Sequence, residues 1–487
     1  MDSHQSTNPA IHSSSYLAMV FTSYIFVFYF LTLVLAGYYA LPARSTWRNA
    51  WLLVTSYVFY GWWNPWFVPL MFFVTAVNYL CARLIAQPGA SARQRWWSLT
   101  AAIVLSLGLL CFFKYWVFLQ TNWNHVLGWF GAEGVRVWQI VLPIGISFYI
   151  FHALSYAVDV YRGTAPVARS FSDFACYIAL FPQSVAGPII RYNTVAHDLQ
   201  ERAHTSRRFA SGAALFILGF AKKVLVANPI GTVADAAFGA QSLDAPAAWF
   251  GVVAYALQIY FDFCGYSDMA VGLGRMFGFE FMKNFDAPYR ADSITDFWRR
   301  WHISLSTFLR DYLYIPLGGN RLGGGRTYAN LAIVMLLGGL WHGANWTFII
   351  WGAYHGALLI AERWAGRKPA YQRLPRALRV AATFVLVLGS WVWFRAESLP
   401  AAVAYFHAML GGGLPTETTA LLAAQLYAPG KLALMAVAAL LLCSPRQAHE
   451  WSESLTWPKA LVLAPTFAVA LMTMFSQAAN PFLYFQF

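Results

Sequence analysis

The chain has 487 residues, 59% hydrophobic and only 11% charged, with a net charge of +13. A soluble domain usually carries about 25% charged residues, so the composition excludes an ordinary water-soluble enzyme. The basic residues lie between long apolar blocks, as the orientation rule of membrane proteins requires, which argues against a nucleic-acid partner and makes the lipid bilayer the surroundings.

Residues 1–18 read as a polar N-terminal extension, rich in Ser and His and lacking the basic start of a secretory leader. From 19 to 487 a single integral membrane domain is expected. Val20–Leu41, Asn49–Ala82, Val137–Val158, Thr327–Ala361 and Ala460–Phe487 each lack Asp, Glu, Lys and Arg. A spanning helix needs about 20 mostly apolar residues. Segments near 20–41, 50–62, 64–82, 96–118, 137–160, 209–227, 246–263, 327–350, 350–361, 380–394, 431–443 and 460–477 are therefore expected to cross the bilayer or part of it. The fold class is all-α: a polytopic integral membrane protein with about 10–13 spanning helices. A closed barrel would instead show alternating segments of about ten residues.

Arg44, Arg48, Arg83, Arg93, Arg95, Arg162, Arg169 and the basic run from Arg363 to Arg379 mark the expected cytoplasmic loops. Gly61–Trp66 and the stretch around Asn122–Gly134 are poorer in positive charge and should face outward, which puts the N-terminus in the periplasm. Cys81, Cys111, Cys176, Cys264 and Cys443 are scattered without CxxC spacing, so they read as packing residues rather than a disulfide framework or a zinc site.

The middle third mixes apolar residues with Asp, Arg, Gly and Pro in Phe171–Pro188, Phe261–Phe281 and Asn284–Gly325. Irregular backbone at membrane depth is tolerated only inside protein or along a watery cavity. These segments are expected to form short re-entrant helices around a central funnel or tunnel. The glycine-rich Gly318–Arg326 lacks the GK[ST] of a phosphate loop and reads as a tight turn.

The chemistry concentrates in two places. Ser293–Asp311 reads as a helix, capped by Ser293, with Asp296 and Arg300 at i,i+4 as a structural ion pair. His302 and Ser306 share that spacing, so the hydroxyl would orient the imidazole, and Trp298 and Trp301 add an apolar surface. The second place is Leu340–Trp346, where His342 sits between Trp341 and Trp346 in a block with no acidic or basic residue. Ionisable groups at membrane depth are costly and are functional candidates by default, and His is the usual general base. A lipid-interface helix with Arg and Trp anchors is the competing reading for the His302 segment, a satisfied core histidine is the competing reading for His342, and a structural role is the favoured one for His152 and His355. No HExxH or other metal-ligand spacing is present. Asp262 and Asp268 are expected to pair structurally, with Arg275, Arg290 or Arg299 as partners.

The segments Phe59–Trp66, Leu142–Tyr149, Phe181–Ile189, Ile259–Asp268, Trp298–Arg321, Leu337–Trp346 and Tyr484–Phe487 together resemble the membrane-bound O-acyltransferases (MBOAT). They are nearest to the bacterial branch containing the membrane component of alginate O-acetylation. The resemblance runs over nearly the whole chain from Met19. It implies that the family's invariant histidine falls on His342 and its second active-site position on His302. It further implies an inner-membrane enzyme that moves an acetyl group, with acetyl-CoA as the donor substrate and no bound cofactor. The acceptor would be an extracytoplasmic polysaccharide, reached directly or through a periplasmic acetyltransferase partner. His342 would take the proton of the attacking hydroxyl, and His302 would orient the thioester or assist the proton transfer. Asn345 is a chemical candidate for an oxyanion donor, with Trp341 and Trp301 as tunnel-lining residues. Alginate, cellulose and peptidoglycan all remain open as acceptors.

Two other classes share this composition. A transporter or flippase would also bury His and Asp, but would usually show two related halves; none is seen, and both histidines lie in one half. A non-catalytic scaffold of a polysaccharide export complex would have no use for His302 and His342.

Overall fold

The computed structural model describes residues 19–366, 373–413, 417–477 and 483. The polar extension at 1–18 and the terminal 484–487 lie outside them. Among the described residues every regular element is a helix. Six helices are long and apolar enough to cross a membrane, or seven if Thr419–Leu426 and Pro429–Leu442, bent by 56° at their junction, count as one span. Three further helices of 19 residues, Ser45–Trp63, Gly324–His342 and Trp346–Trp364, are as long but less apolar. They carry the Asn, Gly, His and Trp that build the interior rather than face lipid.

In chain order the elements that position the site are α1 (Ile25–Ala40), α2 (Ser45–Trp63), α3 (Val68–Ile85), α4 (Ala92–Trp129), α5 (Ile146–Arg162), α6 (Phe171–Ala179), α7 (Ser206–Phe238), α8 (Ala245–Met276), α9 (Ile294–Arg300), α10 (Ile303–Leu309), α11 (Gly324–His342), α12 (Trp346–Trp364), α13 (Arg376–Arg395), α14 (Leu399–Met409) and α15 (Trp457–Ser476). Burial sorts them. The apolar window of α8 is 83% buried, while those of α4 and α15 are only 17% buried. So α8 is the central axle, and α4 and α15 present apolar surface outward, where a bilayer would solvate it. At 38 residues α4 is about 57 Å long, well beyond the ~30 Å hydrocarbon core. The expected span at 96–118 is thus longer than read, whereas the helix expected at 137–160 begins only at Ile146, after Gly145 turns the chain at φ 72.

α7 crosses α8 closely enough that a Cβ at Gly212 would meet the Gly272 carbonyl, the small-residue packing that lets membrane helices approach. In its middle α7 loosens into a π-turn, Lys222–Ala227, which aims two consecutive lysines at α8. Lys223 Nζ lies 2.6 Å from Asp262 and Lys222 Nζ lies 2.6 Å from Asp268. The partners expected for these acids, Arg275, Arg290 and Arg299, are therefore replaced. A lysine reaches both carboxylates because the π-turn turns that face of α7 inward, which no pattern of charges along the sequence signals. Leu483 N also donates to Asp262 at 3.0 Å.

Two of the three middle segments, Phe171–Pro188 and Asn284–Gly325, form short helices as expected, whereas Phe261–Phe281 does not: Phe261–Met276 is the second half of the unbroken α8, whose polar residues are satisfied inside the protein and so require no break. Phe171–Ala179 and Phe181–Ser184 are almost wholly buried. His152 on α5 accepts a hydrogen bond from Ile190 N at 3.0 Å on Nε2 and is a bracing residue there.

Candidate active site

His342 is the last residue of α11, and Gly343 follows in extended conformation (φ −163, ψ 151) before α12 starts at Trp346. The two helices form a tight hairpin. An added Cβ at Gly339 would strike the Phe348 carbonyl, and one at Gly352 would strike the Met335 carbonyl. A helix end leaves its last carbonyls without intrahelical partners. Here α4 supplies them: Tyr115 Oη donates to Leu340 O at 3.0 Å, and Lys114 Nζ donates to Trp341 O and to His342 O, the latter at 3.1 Å. A cation at the negative end of a helix is favourable. His342 is thus held from its backbone side by a lysine buried in a spanning helix.

His302 is placed differently. The helix expected over Ser293–Asp311 is broken in two. α9 ends when Trp301 N donates to Phe297 O at 2.8 Å, and His302 then adopts the left-handed region at φ 44, ψ 55. Such a conformation in a non-glycine residue costs about 1–3 kcal/mol and clusters at functional sites. Asn284 stabilises the break. Its carbonyl accepts from Ile303 N at 2.9 Å, and its Oδ1 accepts from Ser304 N and Ser304 Oγ at 3.1 and 3.0 Å. It caps α10 in place of His302, which cannot cap its own helix from that conformation.

The same Oδ1 lies 3.1 Å from His302 Nδ1. A backbone N–H can only donate, so the Asn284 atom facing Ser304 N is the oxygen, and the His302 nitrogen facing that oxygen carries the proton. Nε2 is then the lone-pair nitrogen of the ring, the arrangement of an oriented base.

Both histidines are buried, and the ring of each lies beside Trp341. The His302 ring is 6.0 Å from the Trp341 ring and 4.7 Å from Phe263; the His342 ring is 5.0 Å from Trp341, 5.1 Å from Trp351 and 5.1 Å from Phe394. Phe148 and Phe151 of α5 close the other side of Trp341. His355 lies one layer behind, against Trp351 at 4.9 Å, and accepts on Nδ1 from Trp298 Nε1 at 3.3 Å. Such an enclosure excludes water and strengthens every polar interaction inside it.

Two expectations need correction. Ser306 does not orient His302: its hydroxyl donates to Trp301 O at 3.2 Å, because the i,i+4 relation required a continuous helix and the chain breaks at His302. Asn345 is not an oxyanion donor in this geometry. Its Oδ1 caps α12 by accepting from Thr347 N at 3.1 Å, and its Nδ2 donates to Glu397 O at 3.1 Å. Asp296 and Arg300 do pair, at 2.8 Å. Trp301 is buried between Phe285, Phe297 and Trp391, beneath His302. Asn284 and Lys114 were missed. Lys114 had a signal, a lone cation inside the 96–118 apolar block; Asn284 had none, since it meets His302 only through tertiary folding.

The arrangement offers two buried imidazoles among aromatic rings, a setting for proton transfer to or from a hydroxyl. A sequence profile described as the membrane-bound O-acyltransferase family matches residues 162–394, a range that holds both histidines. The chain is 44% identical over 504 aligned positions to a probable alginate O-acetylase of Azotobacter vinelandii, covering 96% of this chain and all of the relative. It is 32% identical to a peptidoglycan O-acetyltransferase of Helicobacter pylori, over 96% and 98% of the two chains. A teichoic acid D-alanyltransferase of Streptococcus thermophilus matches more distantly, at 29% identity over 52% of this chain and 68% of the relative.

Proposed function

The chain belongs to the membrane-bound O-acyltransferase family, and on that premise we propose that it moves acetyl groups from cytoplasmic acetyl-CoA across the inner membrane. The acceptor in this reading is an extracytoplasmic polysaccharide, alginate or a related exopolysaccharide. Near-full-length similarity to alginate O-acetylases supports the acceptor class. The observation that carries the chemistry is the pair His302 and His342, both buried and both with their rings beside Trp341.

The steps follow from the groups present. The acceptor hydroxyl attacks the thioester carbonyl carbon while His342 takes its proton. The C–S bond then breaks and the electron pair leaves with the thiolate, which is a weak enough base to need no strong acid beside it. His302, fixed by Asn284, presents Nε2 to orient the donor or to relay the proton. A periplasmic acetyltransferase partner would complete delivery to the polymer. The basic loops support a cytoplasmic entry for the donor and a periplasmic N-terminus.

The test is ester-linked acetate on the surface polymers of cells lacking this chain, restored with wild type or with His342→Ala. Acetate lost from alginate and regained only with wild type is the expected result. Loss confined to peptidoglycan would move the acceptor, and unchanged acetate everywhere would remove the acetyl-transfer reading.

A further inference from the structure

A cavity of about 510 Å³ opens between the start of α9 and the start of α13. Its charged lining is unequal: two carboxylates, Asp292 and Asp296, against four guanidiniums, Arg299, Arg300, Arg376 and Arg379. The carboxylates are spoken for. Asp296 pairs with Arg300 at 2.8 Å, and Asp292 pairs with Arg379 at 3.1 Å. Among the described residues no hydrogen bond or ion pair engages Arg299 or Arg376, and Arg379 Nε is buried without an acceptor. The cavity therefore holds two unneutralised cations and an orphaned buried donor.

The helix ends make the imbalance worse. The first turn of α13, a helix of 20 residues, has no acidic residue and no side-chain cap, and it carries Arg376 and Arg379. Cations at the positive end of a helix are unfavourable, whereas an anion there is favoured by the dipole and by the guanidiniums together. Planar guanidiniums are suited to bidentate contact with phosphate oxygens.

We propose that this cavity is a phosphate-binding site that takes a phosphate monoester or a diphosphate. Its position gives it a use. The cavity follows α9 from Asp292 to Arg300, and His302 lies two residues beyond Arg300, so a phosphate seated here could anchor a molecule whose reactive end lies beside the histidines. The phosphate has two possible sources, a soluble phosphorylated donor and an anionic lipid headgroup at the membrane surface. The inference does not require the acetyl-transfer reading, because binding can be measured in His342→Ala protein.

The experiment uses the full chain in a neutral detergent. Pyrophosphate binding is followed by calorimetry for wild type, His342→Ala, Arg299→Gln/Arg376→Gln and, as a control outside the cavity, Arg93→Gln. Stabilisation by phosphatidylglycerol against phosphatidylcholine is followed in parallel. Arg299 and Arg376 are exposed and make no hydrogen bond or ion pair among the described residues, so their replacement should leave the fold intact. Pyrophosphate binding that weakens about tenfold or more in the double variant, with Arg93→Gln and His342→Ala unchanged, establishes the site with a soluble ligand. Arginine-dependent stabilisation by phosphatidylglycerol without pyrophosphate binding establishes it with a lipid. Absence of both, or binding indifferent to Arg299 and Arg376, overturns the proposal.

Discussion

His302 holds a backbone conformation that costs about 1–3 kcal/mol, and Asn284 is the residue that makes it persist. The single Asn284 oxygen caps α10 and fixes which nitrogen of His302 bears the proton. Asn284→Ala should therefore cut turnover by about 10–100-fold with a smaller change in KM. Asn284→Asp keeps an acceptor for both donors and should retain more of the rate; steady-state kinetics on the two variants distinguishes orientation from simple packing. At this scale the sequence was informative where a residue was chemically out of place. His302, His342 and the Asp296–Arg300 pair could be picked out because charge and imidazole are rare in lipid. Ser306 misled because its role was inferred from continuous helix geometry, and the chain breaks at His302; Asn345 was singled out on its chemistry, and its amide is engaged instead by Thr347 N and Glu397 O.

The element that matters most is the hairpin of α11 and α12. Its helices touch through Gly339 and Gly352, and its tip carries His342. Gly352→Ala forces a Cβ onto the Met335 carbonyl, so it should cost about 1–3 kcal/mol in stability, read as a lowered denaturation midpoint. It should also reduce activity, since His342 moves with the helix. Lys114→Met removes the donor that meets two carbonyls at the end of α11. Charged hydrogen bonds of this kind contribute about 1.5–3 kcal/mol. The variant should show a lower midpoint and a larger loss in kcat than in KM, whereas Lys114→Arg, which keeps a donor, should recover part of both. The apolar blocks revealed where helices lie, but not the π-turn in α7 or the lysine–aspartate pairs it creates. Those depend on one extra residue per turn, which leaves no periodic trace.

Across the whole molecule, burial runs opposite to apolarity. The most buried long helix, α8, holds Asp262 and Asp268, while α4 shows its leucines and aromatics to the outside. That inversion is what a lipid solvent demands; composition revealed the lipid surroundings but not which helices lie inside. α4 is longer than the bilayer is thick, so as a spanning helix it would put its two ends on opposite sides of the membrane. Gln87→Cys should react with an impermeant maleimide only after the cytoplasmic face is opened, and Glu133→Cys should react in intact cells. The reverse pattern would invert the topology and move the donor to the other side.

The central claim is that His342, with His302 also beside Trp341, performs the acyl transfer. The most direct measurement is cleavage of acetyl-CoA by the purified full chain in the presence of an acceptor, comparing wild type with His342→Ala and His302→Ala at matched folding. We predict turnover by wild type, loss of at least about 100-fold in His342→Ala and a smaller loss in His302→Ala. Wild-type turnover that persists unchanged in His342→Ala would contradict the account.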